Sequence, residues 1–240
     1  MQKLYQRSEI TFAILWIVVY VAGTSAADQL SRLAGMEKSI TFVLHLLLTV
    51  VLFLWIRRNN LLERYGLCKT DIPAGKFLYY IPLAIAASCN LWLGAARNLT
   101  AMETALYIGS MLCVGFLEEV IFRGILFRAM SRSNVKSAII VSSVTFGIGH
   151  IVNLINGSGM DFAENLCQVC YAIAFGFLFV TIFHRGKTLI PCILTHSILN
   201  VLSVFGREPA TQAGTIAVSA ILTVLAVSYT LILKRTLSKP

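Results

Sequence analysis

Residues 103–127, ETALYIGSMLCVGFLEEVIFRGILF, have the length and apolar character of a helix that spans a lipid bilayer. The run nevertheless contains Glu118, Glu119 and Arg123. An acidic residue at the centre of a membrane helix costs roughly 2.5 kcal/mol or more. Because the chain keeps two acidic groups and one basic group in this run, we expect them to serve a function.

Similar apolar runs continue on both sides of this segment. The chain is 57% hydrophobic and 13% charged, whereas a soluble domain carries about 25% charged residues. Lipid admits only helices or closed barrels, and these runs are too long and too uniformly apolar for barrel strands. We therefore predict an all-α fold, a polytopic membrane helix bundle with about eight transmembrane helices. The predicted spans are 10–29, 39–57, 77–96, 103–127, 136–153, 166–184, 188–205 and 212–233.

The basic residues are unevenly distributed between the two predicted sides of the membrane. The net charge is +9, but Lys and Arg lie in the short connections between spans and form no basic face, which argues against nucleic-acid binding. With eight spans, only Arg32, Lys38, Arg97 and Arg207 fall on one side, and most other basic residues on the opposite side. The positive-inside rule then places both termini in the cytoplasm. We expect a multi-pass protein of the plasma membrane, of bacterial type.

We predict a single integral-membrane domain over residues 1–240, without an internal repeat. The first run resembles a signal peptide, but we expect an uncleaved span because further spans follow at once. Cys167 and Cys170 have the spacing of a redox or metal pair. They lack the βαβ context of a redox motif, and the more economical interpretation is that they pack between helices.

Two further patterns occur in later spans: Phe146-x-x-x-His150 and His196-x-x-x-Asn200. At a rise of 1.5 Å per residue, Glu118, His150 and His196 lie about 13 to 21 Å from the cytoplasmic ends of their helices. The polar groups therefore converge near the middle of the bilayer. Polar groups at that depth must be solvated or paired, which predicts a water-filled cavity.

Adjacent helical residues point about 100° apart, so Glu118 and Glu119 are expected to have different tasks. Arg123 follows Glu119 at the i, i+4 spacing that favours an ion pair. This leaves Glu118 as the candidate general base. The alternative is that both glutamates belong to a structural charge network.

Each of the two histidines has more than one candidate role. His150 either shares a water with Glu118, binds a metal or packs through a hydrogen bond. His196 and Asn200 share a helix face and can donate to an oxyanion. Alternatively, Glu118, His150 and His196 together form a metal site, with zinc as the candidate ion.

The three motifs, in this order on successive spans, resemble the CPBP family, the CAAX proteases and bacteriocin-processing enzymes also called Abi proteins. The resemblance covers about residues 104–205, with Phe116 to Gly124 fitting the first motif. It implies an intramembrane endopeptidase acting on a membrane-associated peptide or protein. In that family Glu118 and His150 would activate water, and His196 and Asn200 would stabilise the oxyanion.

We also count Glu119 among the candidate catalytic residues, where the resemblance implies that it and Arg123 support the other groups, and we expect Phe146 to be a supporting residue. The family is commonly labelled metalloprotease, but the chain has no His-Glu-x-x-His motif, so a zinc mechanism and a metal-free glutamate mechanism are both compatible with its residues. Peptide maturation, bacteriocin immunity and regulated cleavage of a membrane partner are all open as tasks.

Two other functional classes compete with the peptidase. A non-catalytic binding or immunity protein on the same scaffold has no need of Glu118, His150 and His196 together. A proton-coupled transporter also uses buried Glu and His side chains, but such proteins usually show paired halves with broken helices, and no such symmetry is visible in the sequence.

Overall fold

The structure is a computed structural model that describes residues 1–156, 159–207, 209 and 211–238. The described residues form helices and connections without a named strand, which confirms the predicted all-α class. The helices are α1 (Gln2–Arg7), α2 (Glu9–Leu33), α3 (Ser39–Arg58), α4 (Ile81–Ala87), α5 (Ala101–Ser131), α6 (Val135–Gly149), α7 (Phe162–Gly186), α8 (Ile190–Ser203) and α9 (Gln212–Thr236). Short 3₁₀ turns precede and follow α4 and extend α6 to Leu154.

Six helices in the described part of the chain are long and apolar enough to cross a membrane, and two apolar helical segments are shorter. The long ones are α2, α3, α5, α6 with its extension, α7 and α9. The shorter ones, Ala74–Ala87 and α8, correspond to the third and seventh predicted spans. Large apolar side chains on the outer faces of the long helices are exposed, as lipid contact requires.

The prediction of one continuous helix over residues 77–96 is wrong. Leu78, Tyr79 and Tyr80 adopt left-handed backbone conformations, with φ of 49°, 54° and 59°. The short helix α4 then begins at Ile81, has Pro82 in its first turn and ends at Ala87. Proline cannot donate a backbone hydrogen bond and suits the first turn of a helix, so a new helix begins where the sequence average suggested an unbroken one.

One end of the bundle collects most of the basic residues, and we call it the basic end. Arg64 forms an ion pair with Glu9, and Arg132 lies 3.2 Å from the same carboxylate. Arg185 donates to the carbonyl of Leu237 at 2.7 Å. These contacts bring the N-terminus, the C-terminus and three connections to one end. Its basic residues are Lys3, Arg7, Arg57, Arg58, Arg64, Lys69, Lys76, Arg128, Arg132, Lys136, Arg185, Lys187, Lys234 and Arg235.

The remaining connections meet at the opposite end. Arg32 donates to the carbonyl of Asn156. An isolated antiparallel bridge joins Ala95 to Gly206, and Asn98 donates to the Gly206 carbonyl at 3.0 Å. The short helix α8 begins near the basic end and ends at Ser203 close to this opposite end, and its His196 approaches α5.

Candidate active site

The glutamates lie where the geometry of α5 changes. Residues Ala101–Glu119 are α-helical, and Val120–Phe127 form a π-helical stretch that starts directly after Glu119. In a π-helix the backbone bonds run from i to i+5, which widens the helix and re-aims its side chains; such stretches are frequent at functional sites. Every residue of the π-helical stretch is buried.

Glu118 faces a cavity and is held by one hydrogen bond. The hydroxyl of Tyr20, on α2, donates to Glu118 Oε1 at 2.6 Å. Glu118 Oε2 has no hydrogen-bond partner among the described residues and lies 3.6 Å from His196 Nε2. One carboxylate oxygen is therefore fixed by the protein, and the other is buried without a hydrogen-bond partner in the described part of the chain.

Glu119 and Arg123 form the predicted ion pair. Arg123 Nη1 lies 3.2 Å from Glu119 Oε1, and both side chains are fully buried. The Arg123 guanidinium also stacks over the ring of Phe146, with 3.9 Å between Cζ and the ring centroid. A buried cation needs an anion or an aromatic face near it, and Arg123 has both.

His196 lies between the two glutamates. Its Nδ1 is 2.9 Å from Glu119 Oε1. A carboxylate accepts hydrogen bonds, so the contact places a proton on Nδ1 and turns Nε2 towards Glu118 and the cavity. The same oxygen of Glu119 thus contacts His196 and Arg123, and it ties α8 to α5.

His150 reaches the same cavity from another helix. It begins the 3₁₀ extension of α6, and its Nδ1 is 3.1 Å from the carbonyl of Phe146. Because a carbonyl oxygen only accepts, Nδ1 carries the proton and the neutral ring keeps a lone pair on Nε2. Among the described residues His150 forms no ion pair with Glu118, so the two groups share the cavity without direct contact.

Phe146 occupies the centre of this arrangement. Its ring meets His150 edge-to-face at 5.2 Å and His196 at 5.8 Å between centroids, while Arg123 lies over its face. Edge-to-face geometry is the favoured packing of aromatic rings. One phenyl ring therefore sets the positions of both histidines and the buried arginine.

A cavity of about 590 Å³ lies beside the candidate catalytic side chains. Glu118, His150, His196 and Asn200 all line it, as the sequence predicted for polar groups at this depth. Glu119 and Arg123 do not line it and lie behind its wall. Asn200 is one turn after His196 on α8, half-buried, and its backbone carbonyl accepts from Ser203 at 2.7 Å.

Close packing of α5 against α8 brings these groups together. A methyl group on Gly115 would lie 2.7 Å from the backbone nitrogen of Ser197, so only glycine permits this approach. Ser197 in turn donates to the carbonyl of Leu112 at 3.3 Å. Since Ser197 directly follows His196, the contact fixes the distance between His196 and the glutamates.

Glu118, His150 and His196, the three candidate metal ligands, line one cavity. Within the described ranges no three or more His, Cys, Asp or Glu side chains are grouped closely enough to hold a metal ion. His150 and His196 each use Nδ1 for a protein contact. Metal-bound histidines hold their second ring nitrogen in the same way, so these contacts are compatible with a metal-free site and with a metal ligand at Nε2. Cys167 and Cys170 are free thiols.

Tyr20 is the residue that the motifs did not reveal. It lies 98 positions before Glu118, on a helix that none of the three patterns includes. It is buried, and its ring packs beside His45 at 5.7 Å between centroids. A lone tyrosine in an apolar run carries no signal of its function, since tyrosine is common in membrane spans.

Residues 100–202 match the family model of the type II CAAX prenyl endopeptidase Rce1-like proteins. The matched segment contains all three motifs and confirms the family resemblance that they indicate. At the level of the family it supports a CAAX-type intramembrane protease. No curated protein and no solved structure matches the chain. Tyr20 lies outside the matched segment.

Proposed function

We propose that this chain, whose central segment is similar to the CAAX prenyl endopeptidases, is an intramembrane endopeptidase. It hydrolyses a peptide bond of a membrane-associated peptide or protein with a glutamate-activated water. One observation carries the proposal: Glu118 has Oε1 fixed by Tyr20 and an unpartnered Oε2 at the cavity. A buried carboxylate oxygen that lacks a hydrogen-bond partner is suited to bind a water and take its proton.

Water activation is assigned to Glu118 with His150. Glu118 Oε2 accepts the proton of the water that attacks the carbonyl carbon. The lone pair on His150 Nε2 accepts a hydrogen bond from the same water, because Nδ1–H is committed to the Phe146 carbonyl. Two acceptors facing one cavity from α5 and α6 fix the direction of attack.

Stabilisation of the oxyanion is assigned to α8. Asn200 offers an amide N–H, and His196 offers Nε2–H in its imidazolium form, with Nδ1–H held by Glu119. Both residues lie on one face of α8 and line the cavity. Donors that are fixed before the reaction stabilise a developing negative charge without reorganisation.

The same residues complete the hydrolysis, and no other side chain is needed. The water oxygen bonds to the carbonyl carbon, and the carbonyl π electrons move to the oxygen held by His196 and Asn200. As the oxyanion collapses, the carbon–nitrogen bond breaks and Glu118 returns its proton to the leaving amine. Glu119 and Arg123 touch no reacting atom, and we assign them as positioning residues that hold His196.

We further propose that residues 1–240 act as one integral-membrane domain of a cell membrane, with the catalytic core at about 104–205. The remaining helices complete the site, since Tyr20 on α2 contacts Glu118. We propose a mechanism of the glutamate type, since no three His, Cys, Asp or Glu side chains of the described residues are grouped closely enough to hold a metal ion.

The test compares cells that produce the wild type or Glu118→Ala at equal levels. Peptide termini of membrane-associated proteins are measured by mass spectrometry. Termini present with the wild type and missing with Glu118→Ala establish the peptidase and supply its substrate. Identical termini, together with an unchanged biological effect of the variant, refute the peptidase and favour a binding or immunity protein.

A further inference from the structure

The membrane orientation of the bundle follows from its charges. The basic end collects fourteen described Lys and Arg residues, whereas the opposite end has Arg32, Lys38, Arg97 and Arg207. Short connections rich in Lys and Arg remain in the cytoplasm. The basic end is therefore the cytoplasmic end, and the opposite end faces the extracytoplasmic side.

The cavity reaches the extracytoplasmic end. Its lining includes Lys38, Asn156, Gly206 and Arg207, which lie in the connections of that end. Glu118 and His196 line its deep part. The cavity therefore leads from the extracytoplasmic surface down to the candidate catalytic groups.

The cytoplasmic side of the site is closed by packed side chains. No residue that lines the cavity belongs to a connection of the basic end. Below Glu118 on α5, Arg123, Ile125 and Phe127 are all buried, at 0 to 1% exposure. Phe183 packs edge-to-face on Phe127 with 6.0 Å between centroids. Such packing leaves no space for a peptide.

One side of the cavity above the glutamates is polar. Thr24 and Asp28 on α2 line it together with His45 on α3 and Tyr107 on α5. Asp28 accepts from Lys38 Nζ at 2.7 Å, at the extracytoplasmic rim. Other lining residues are apolar, such as Met111, Val114 and Leu199. A passage with both characters suits a peptide, whose backbone is polar and whose side chains are mixed.

We propose that the active site takes its substrate from the extracytoplasmic side, and that the substrate is an extended peptide segment of an exported or membrane-anchored chain. The proposal rests on the peptidase function proposed above and names the substrate class of that site. It separates this chain from enzymes that trim lipid-modified C-terminal tails in the cytoplasm, because such a tail would meet the closed end of the bundle.

The test measures access to the cavity by a membrane-impermeant maleimide. Met111 lines the cavity about 10 Å above Glu118, two turns earlier on α5. Met111→Cys is labelled in membrane vesicles of each orientation, and labelled residues are identified by peptide mass spectrometry. Leu112→Cys is the matched control, since Leu112 is 51% exposed on the outer face of α5 and does not line the cavity.

The native Cys68 reports orientation, because it lies in the connection of the basic end between α3 and α4. We expect the reagent to label Met111→Cys from the extracytoplasmic face, Cys68 only from the cytoplasmic face, and Leu112→Cys from neither. Labelling of Met111→Cys from the cytoplasmic face, from both faces or from neither overturns the proposal. Labelling of Cys68 from the extracytoplasmic face overturns it as well.

Ser25→Cys, on the α2 wall of the same cavity, gives the same readout if Met111→Cys does not fold. The labelling needs no peptidase activity. Failure of this proposal is therefore distinguishable from failure of the peptidase function, which the comparison of peptide termini measures separately.

Discussion

Glu119 Oε1 lies 2.9 Å from His196 Nδ1 and 3.2 Å from Arg123 Nη1, in the buried interior between α5 and α8. One carboxylate oxygen thus serves an ion pair within its own helix and a hydrogen bond to another. The arrangement explains why two adjacent glutamates are present: Glu119 holds the site together, and Glu118 is left to face the cavity.

Replacement of Glu119 should destabilise the fold as well as impair catalysis. Glu119→Gln leaves Arg123 buried without an anion, and breaking a buried pair from one side costs about 3 to 5 kcal/mol. Unfolding of the purified protein in detergent measures the loss. The double variant Glu119→Gln/Arg123→Met should lose less stability than the two single losses combined. Additive losses would show that the two side chains do not interact.

Tyr20→Phe should lower the rate of cleavage and also cost some stability. The hydroxyl fixes Glu118 Oε1, and a hydrogen bond to a charged group contributes about 1.5 to 3 kcal/mol to stability. If the general base needs that bond equally in the transition state, the rate of cleavage falls by about ten- to a hundredfold. Tyr229→Phe is the matched control, since that buried hydroxyl donates to the Phe77 carbonyl far from the cavity. Equal rates for the two variants would remove Tyr20 from the site.

Gly115→Ala should separate α5 from α8 and move His196 away from the glutamates. The added methyl group would meet the backbone of Ser197, which cannot yield as a flexible side chain can. Overpacking of this kind costs roughly 1 to 3 kcal/mol, and we expect cleavage to fall further than stability. Gly75→Ala is the control, because a methyl group there would come no closer than 3.6 Å to a neighbouring atom and Gly75 does not line the cavity. Unchanged cleavage by Gly115→Ala would contradict this packing.

Removal of divalent metal ions should leave the rate of cleavage unchanged. The prediction follows from the grouping of the donors, since no three His, Cys, Asp or Glu side chains of the described residues lie close enough together to hold a metal ion. The assay compares purified enzyme before and after treatment with a strong chelator, with zinc added back as the control. A loss of cleavage that zinc restores would establish a metalloprotease.

Much of the bundle follows from the sequence, because long apolar runs in a membrane form helices. The broken segment 77–96 does not, since a hydropathy average hides the turn before Pro82. The pair Glu119–Arg123 is predictable because its geometry is local to one helix turn. The position of His196 between both glutamates depends on the tertiary contact at Gly115, which spacing along the chain does not encode. Tyr20 has no local pattern at all.

The most direct test of the central claim assays purified protein on a peptide that the comparison of termini identifies. Glu118→Gln keeps the size of the side chain and removes its basicity. We expect its cleavage rate to fall by a factor of about 10² or more, the typical contribution of a general base. Glu63→Gln, an exposed glutamate of the basic end, should cleave like the wild type. Cleavage by Glu118→Gln within about twofold of the wild type would contradict a glutamate-activated water, since a general base contributes far more than that.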